Sequence, residues 1–508
     1  MSETAVVIGS GFGGLAAAVR LRAMGWRVVV LEALDQPGGR ARVFRQGGFT
    51  WDAGPTVITA PYLLEELFTL AGRSLADYAE LVPVDPFYRI LFHDGATFDY
   101  VGDEERLLEQ IRRLSPGDVD GYRRLAAHAE RIFDVGYTRL ADQPFHRAAT
   151  MLRAIPQMAR LQSYRTVYGL VSRYVRDERL RQALTFEPLL VGGNPFSTPS
   201  IYLLIHWLER KWGVHFAKGG TTSLVHALVR LLGELEVEVR LNAPVEEIVV
   251  RDGRVAGVRT AGGETIPASL VVSNADPSHT YARLLPPRVR RRNTDARVRR
   301  VRQSMSLFVA YFGSRRQYPE LAHHTIVLGP RYRGLLDDIF RRRVLADDFS
   351  LYLHAPTRTD SSLAPPGQET FYVLSPVPNN RSGVDWERER GPYFERVLAE
   401  LERRLLPGIR ENLAATMFLT PREFERDLRS VDGAAFGPEP VLTQSAWFRY
   451  HNQCGDVPGL YFVGAGTHPG GGVPGVLSSA KVLERIAPRP RRPLPLPVWK
   501  SDRELVVA

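Results

Sequence analysis

Gly9, Gly11 and Gly14, in the spacing Gly-x-Gly-x-x-Gly, with Glu32 eighteen positions further on, form the first set of residues in this chain whose types and spacing do recognisable chemistry. In such a set Gly9 permits a tight turn, Gly11 lets the backbone approach a pyrophosphate, and Gly14 lets a helix pack closely on a strand. A carboxylate at position 32 accepts hydrogen bonds from both hydroxyls of an adenosine ribose and repels a 2'-phosphate. The elements that must position these residues are legible around them. The apolar run Ala5–Ile8 reads as a strand, the Ala/Leu/Arg-rich stretch to Met24 as a helix stopped by Gly25, and Val28–Leu31 as a second strand. That is the start of a βαβ unit, with phosphates placed at the positive end of the helix.

Gly38-Gly39-Arg40 follows Glu32 closely, and a simple NAD-binding unit has no need of it. The pattern resembles flavoproteins of the glutathione-reductase and amine-oxidase type, which implies FAD with Gly39 and Arg40 along its pyrophosphate. Asp52-Ala53-Gly54-Pro55-Thr56-Val57-Ile58 reads as a strand breaking into a Gly-Pro turn. From the residues alone this is a plain β-turn or a cofactor contact; the resemblance implies that Gly54, Pro55, Thr56 and Val57 line the FAD. Near the other end, a strand opens into a glycine turn containing Gly464 and Gly466, and a helix follows around Pro474, Gly475 and Val476. Such an element closes a nucleotide domain over its cofactor. An alternating layer begins at Val245, with an Asp252-Gly253 hairpin, and the resemblance places the backbone near Val245 beside the adenine.

The chain of 508 residues, 44% hydrophobic and 24% charged, can hold two or three domains with a large core. Its single cysteine, Cys454, excludes internal disulfides and any multi-cysteine metal or iron–sulfur site, fits a reducing compartment, and leaves no metal expected. The first 31 residues are the nucleotide-binding unit rather than a signal peptide, and no apolar run reaches the roughly 18 to 20 residues that span a bilayer. The net charge of +10 is mostly arginine. With no nucleic-acid motif in the chain, it points to an anionic membrane surface or to an arginine-rich composition, not to nucleic acid.

The pattern gives an α/β fold of four regions. Residues 1–80, 218–285 and 445–487 form a discontinuous Rossmann-like FAD-binding domain, and 81–102, 190–217 and 286–444 a mixed-sheet substrate domain. Residues 103–189 form a helical insertion that faces a membrane, and 488–508 an extended, solvated Pro/Arg-rich tail. Within the insertion, Pro144–Arg176 contains no acidic residue, while Met151, Leu152, Ile155, Met158, Leu161, Tyr164, Tyr168 and Val171 fall at helical spacing between arginines. Such a stripe suits an interfacial helix or a helix packed on the core, broken or kinked at Pro156. Arg288–Arg302, with eight arginines, reads as a solvated helix or a headgroup patch.

Together these motifs resemble the bacterial FAD-dependent carotenoid desaturases, from residue 4 to about 486. The specific markers are Gly-Gly-Arg at 38–40, Asp-Ala-Gly-Pro-Thr-Val-Ile at 52–58 and Leu-Val-Gly-Gly-Asn-Pro-Phe at 190–196. Further on come Leu-Ala-His-His-Thr at 321–325, Asp-Phe-Ser-Leu-Tyr-Leu-His-Ala-Pro at 348–356, Gln-Ser-Ala-Trp-Phe-Arg at 444–449 and Gly-Ala-Gly-Thr-His-Pro-Gly at 464–470. The resemblance implies non-covalent FAD, a C40 isoprenoid substrate such as 15-cis-phytoene, and successive double bonds leading to neurosporene or lycopene. It also implies oxygen or a quinone as electron acceptor, and a cytoplasmic protein held peripherally at the inner face of the membrane. A hydrocarbon offers no polar handle and no dyad or triad stands out, so Arg153, His215 and His451 are the candidates for an assisting group. The alternatives are a carotenoid isomerase, a ketolase or a desaturase of hydroxylated carotenoids, and outside the enzymes a prenyl-lipid escort.

Overall fold

The structure, a computed structural model, describes residues 3–497. The strand Thr4–Ile8, the helix Phe12–Ala23 and the strand Arg27–Leu31 form the expected βαβ unit. Its strands sit at the centre of a five-stranded parallel sheet whose order is 460–462, 270–273, 4–8, 27–31 and 238–240. Both faces of such a sheet are covered, which is why its three central strands, 270–273, 4–8 and 27–31, carry valine-rich apolar runs and do not alternate. On one face the helix Phe12–Ala23 packs against Val473–Ile486 and Thr221–Glu234. Buried Arg20 joins three helices there, 2.9 Å from Glu66 and 2.5 Å from Glu484. Arg20 is buried but both glutamates are partly exposed, 32% and 39%, so solvent screens the two pairs. On the other face lies a three-stranded antiparallel layer, Val245–Arg251, Arg254–Thr260 and Thr265–Pro267, turned by Asp252 and Gly253 at positive φ.

A second, seven-stranded sheet runs in the order 413–419, 306–314, 369–377, 351–354, 324–327, 88–91 and 97–100. All its neighbours are antiparallel except 324–327 with 88–91. The two sheets are stitched together by the hairpin Val43–Gln46 and Phe49–Asp52, where the Trp51 indole donates to the Phe312 carbonyl at 3.3 Å. Asp52 then accepts from the amides of Thr221 and Thr222, at 2.9 and 3.3 Å, at the start of the helix Thr221–Glu234.

Several expectations are corrected. The stretch 144–176 is two helices, Ala148–Arg160 and Val167–Val171, and the first runs unbroken through Pro156. Its stripe is split: Leu161 and Val171 are buried, while Leu152, Ile155 and Tyr164 are exposed. The arginine-rich run 288–302 is α-helical only over Asp295–Arg300, and Arg290 and Arg302 are tied to Asp295 and Glu439 at 2.6 and 2.8 Å. The tail is extended but docked as far as it is described, not solvated throughout. Arg22 donates to the carbonyls of Leu494 and Pro495, and the Leu494 amide donates to Gly25. Residues 498–508 of the expected tail lie outside the described residues. Among those described, no helix is long and apolar enough to cross a membrane.

Candidate functional site

One cavity of about 680 Å³ runs from the βαβ turn to the inner face of the seven-stranded sheet. Its first half is backbone and polar side chains. Two helices begin at its wall, Phe12–Ala23 after Gly11 and Val473–Ile486 after Gly472, so their unpaired N–H groups and positive ends serve the same space. The glycines are there because the space is taken. A Cβ on Gly13 would come within 2.5 Å of the Asn274 amide oxygen and 3.0 Å of Gly464, and one on Gly54 within 2.4 Å of the Arg40 carbonyl. Gly39 and Gly464 also adopt positive φ, +56° and +95°, which an L side chain resists.

Gly9, Gly11, Glu32, Gly39, Arg40, Gly54, Pro55, Thr56, Val57, Val245, Gly464, Pro474, Gly475 and Val476 all line this cavity. Gly14 and Gly466 do not. A Cβ on Gly14 would strike the Gly9 carbonyl at 2.0 Å, so this glycine serves the packing of helix on strand, while a Cβ on Gly466 would come within 2.2 Å of the Pro277 ring. Glu32 accepts from the Ser10 amide and hydroxyl at 2.8 and 2.7 Å and from the Leu34 amide at 3.0 Å. These bonds fix its carboxylate at the strand end and leave lone pairs for ribose hydroxyls. Half-buried Arg40 donates to Ser430 at 2.8 Å, and its buried Nε has no partner; nor has Oδ2 of Asp276 beside it. Burial lowers the Arg40 pKa and raises that of Asp276, each partly opposed by the other's charge. The unpartnered Arg40 Nε–H in a glycine cradle at two helix N-termini fits a dinucleotide's pyrophosphate.

The Ala53–Thr56 turn is held from the second sheet by three tyrosines. Tyr311 donates to the Ala53 carbonyl at 2.6 Å and Tyr372 to the Gly54 carbonyl at 3.1 Å, while the Tyr352 hydroxyl meets Thr56 Oγ1 at 2.6 Å. Tyr352 also contacts His324 Nδ1 at 2.5 Å, and His323 and His354 share a 3.0 Å Nε2–Nε2 bond next to it. All three imidazoles are buried and their pKa values lowered, His323 to about 3, so they are neutral. Sequence reasoning missed Asn274, Asp276, Arg429 and Tyr352 as lining residues because each arrives from a distant strand end or loop, with no local spacing to announce it.

Beyond the turn the walls become apolar: Phe186, Leu189, Ile205, Leu307, Val309, Ile326, Leu328 and Leu374. The far end is bounded by Met151, Ala154, Ile155 and Met158 of the helix Ala148–Arg160 and by Leu442 and Ala446. Arg153, His215 and His451 do not line the cavity. Arg153 points outward on the exposed side of its helix. His215 pairs by its backbone with Ile58 in a neighbouring ladder, and His451 donates Nε2–H to the Trp447 carbonyl at 2.9 Å.

A glycine cradle for a dinucleotide that opens into an apolar gallery is the architecture of a flavin-dependent oxidoreductase. The chain belongs to the family of flavin containing amine oxidoreductases, whose model matches residues 12–482. It is 53% identical to the lycopene-forming phytoene desaturase of Pseudescherichia vulneris over 482 residues, 95% of this chain and 98% of that one. It is 45% identical to the neurosporene-forming phytoene desaturase of Rhodobacter capsulatus over 498 residues, 96% and 95% of the two chains. The crystal structure of an oxidoreductase from Methanosarcina mazei shares the fold, with a TM-score of 0.66 at 18% identity, covering 95% of this chain and 100% of that one.

Proposed function

We propose that the protein is an FAD-dependent carotenoid desaturase that introduces successive double bonds into 15-cis-phytoene, towards neurosporene or lycopene. The observation that carries this reading is the continuity of the cavity, in which the glycine cradle passes directly into walls of leucine, isoleucine and phenylalanine. A C40 hydrocarbon presents nothing to hydrogen-bond, so recognition rests on apolar contact and on the shape of the gallery.

FAD, held here, would supply the two-electron acceptor for the hydride that leaves an allylic carbon. Glu32 would hold the ribose, Gly11, Gly39 and Arg40 the pyrophosphate, Val245 the adenine, and the Gly54–Val57 turn with Pro474–Val476 the ring system. Non-covalent binding is supported by the place of Cys454, buried against Tyr281 in a separate core and away from the cavity. The chain's own contribution is positioning: three tyrosines fix the turn at which the two halves of the cavity meet. The cofactor domain of 1–80, 218–285 and 445–487 is supported by the parallel sheet, whose strands all come from those spans. The substrate domain is supported by the seven-stranded sheet, whose strands fall within 81–102 and 286–444.

The substrate and a quinone acceptor both reside in lipid, and oxygen also concentrates there. Leu152, Ile155 and Tyr164 are exposed beside the cavity-lining residues of the helix Ala148–Arg160, and Leu442 and Phe448 are exposed across from it. That arrangement supports a cavity mouth set into the inner face of the cell membrane of a cytoplasmic protein. The test is incubation of the purified protein with phytoene in anionic vesicles. The expected result is a red-shifted carotenoid spectrum, with flavin absorbance that bleaches on adding phytoene without oxygen. A protein that refuses flavin, or that leaves the phytoene spectrum unchanged in both oxygen and quinone, overturns the reading.

A further inference from the structure

The apolar half of the cavity contains one acid that its surroundings do not explain. Glu209, on the helix Leu204–Trp212, is 1% exposed and lines the cavity between Leu204, Ile205 and Leu208. The Tyr88 hydroxyl donates to its Oε1 at 2.7 Å, and its Oε2 has no partner. A second buried acid, Glu187, lies 3.4 Å from the Nδ1 of His206, which stands three positions before Glu209 on the same helix. His206 is itself bonded to the Tyr100 and Tyr122 hydroxyls, at 2.9 and 3.2 Å. The other carboxylates at the cavity belong to the cofactor half: Glu32 accepts from Ser10 and Asp427 from Arg426, while Asp276, with one oxygen on the Ser278 amide and the other unpartnered, lies beside the charge of Arg40. A half-satisfied buried carboxyl group in an apolar wall is destabilising, so its presence there calls for a role other than packing.

The geometry points to Glu209 as the base that takes the proton from the substrate, with Glu187 as the group that sets its basicity. The inference rests on the desaturase reading. A hydride, with its two electrons, leaves an allylic carbon for the flavin; the C–H bond on the adjacent carbon then breaks, its electron pair becomes the new double bond, and the proton goes to Glu209 Oε2. The product carboxylic acid gives the proton up to solvent before the next double bond. An allylic cation needs only a weak base, but one held in an apolar wall beside the chain, and Oε2 is the free acceptor there.

Burial raises both carboxyl pKa values, and for Glu209 the negative charge of Glu187 raises it further while the Tyr88 bond opposes this. His206, lowered to about 3 by burial and by Arg210, is neutral and contributes no positive charge. The other titratable groups facing the pair are Tyr88, Tyr100, Tyr122 and Tyr352, all raised by burial and protonated, the neutral His324 beside Tyr88, and the cation Arg210. The base is active when ionised, so desaturation falls as pH drops through a value above the ordinary glutamate range. Removing Glu187's charge moves that limb to lower pH.

The experiment uses the full chain with flavin and phytoene-loaded vesicles, comparing Glu209→Gln and Glu187→Gln with the unaltered protein. Glu209→Gln is expected to lose roughly 100-fold or more of the rate while keeping flavin content and phytoene binding. Glu187→Gln is expected to keep turning over, with its acidic limb displaced to lower pH. Infrared titration of the carboxyl stretch in flavin-free protein reads the same displacement without turnover, so the result stands if Glu209→Gln fails to fold. If the unaltered protein turns over and Glu209→Gln keeps its rate within threefold, or Glu187→Gln moves neither the limb nor the infrared midpoint, the assignment is wrong. If the unaltered protein makes no double bonds, the desaturase reading has failed instead.

Discussion

Replacing Leu152 and Ile155 by serine tests the proposed membrane face where the structure gives a magnitude. Leu152 is 65% and Ile155 46% exposed, so serine at either leaves the core intact. Fully burying such a side chain is worth about 1.5–3 kcal/mol, so the exposed fractions correspond to about 2–3 kcal/mol for the pair on insertion among acyl chains. At about 1.4 kcal/mol per tenfold, the double variant should bind vesicles roughly 30- to 150-fold more weakly. The arginines bordering the stripe, Arg153 and Arg160, are exposed and carry no ion pair among the described residues, so their part of the binding is electrostatic and screened by salt. The assay is co-sedimentation with anionic and with neutral vesicles at low and high salt. Added salt should weaken binding of the unaltered protein to anionic vesicles, whereas the double substitution should weaken binding to both kinds. Unchanged partitioning of the double variant at either salt concentration would show that the mouth of the cavity is not what meets the lipid.

Gly54→Ala puts a Cβ 2.4 Å from the Arg40 carbonyl, and both belong to the cavity wall, so the Ala53–Thr56 turn and the short 3-10 turn Gly39–Ala41 must separate. The protein should fold, with a loss of about 1–3 kcal/mol, but purify with less than about a tenth of its flavin; full flavin absorbance per protein would count against the cradle. For Asp52, burial raises the pKa to about 6, against the hydrogen bonds from Thr221 and Thr222. A raised carboxyl pKa means that the folded state holds the proton more tightly than the unfolded chain. The stability it contributes is therefore complete below the ordinary aspartate value and is lost as pH rises through about 6, by about 3 kcal/mol. Denaturant unfolding from pH 4 to 7 should show this slope in the unaltered protein and not in Asp52→Asn; parallel slopes would refute it.

The cofactor half of the site was legible because its determinants are local. Gly9, Gly11 and Glu32 belong to one βαβ unit and its end, and Arg40 follows within a few residues, so spacing along the chain translates directly into spacing in space. Even there Gly14 shows the limit, since a motif position can serve packing and never reach the ligand. Helix boundaries were less legible around Pro156, because one missing N–H is tolerated where the backbone is otherwise held.

What the sequence by itself determined is the dinucleotide fold and, through seven ordered motifs, the kind of protein that carries it. Only the tertiary structure decided what lies opposite that cradle. Tyr88, Glu187 and Glu209 come from separate elements, and Tyr352 reaches Thr56 across 296 positions. An unpartnered carboxylate oxygen in an apolar wall is a property of three-dimensional packing, with no period or spacing that could reveal it. The same holds for the three candidates Arg153, His215 and His451, whose residue types suit acid–base chemistry but whose side chains the fold leaves outside the cavity. Residue type states what a group can do; burial and neighbours decide whether it is placed to do it.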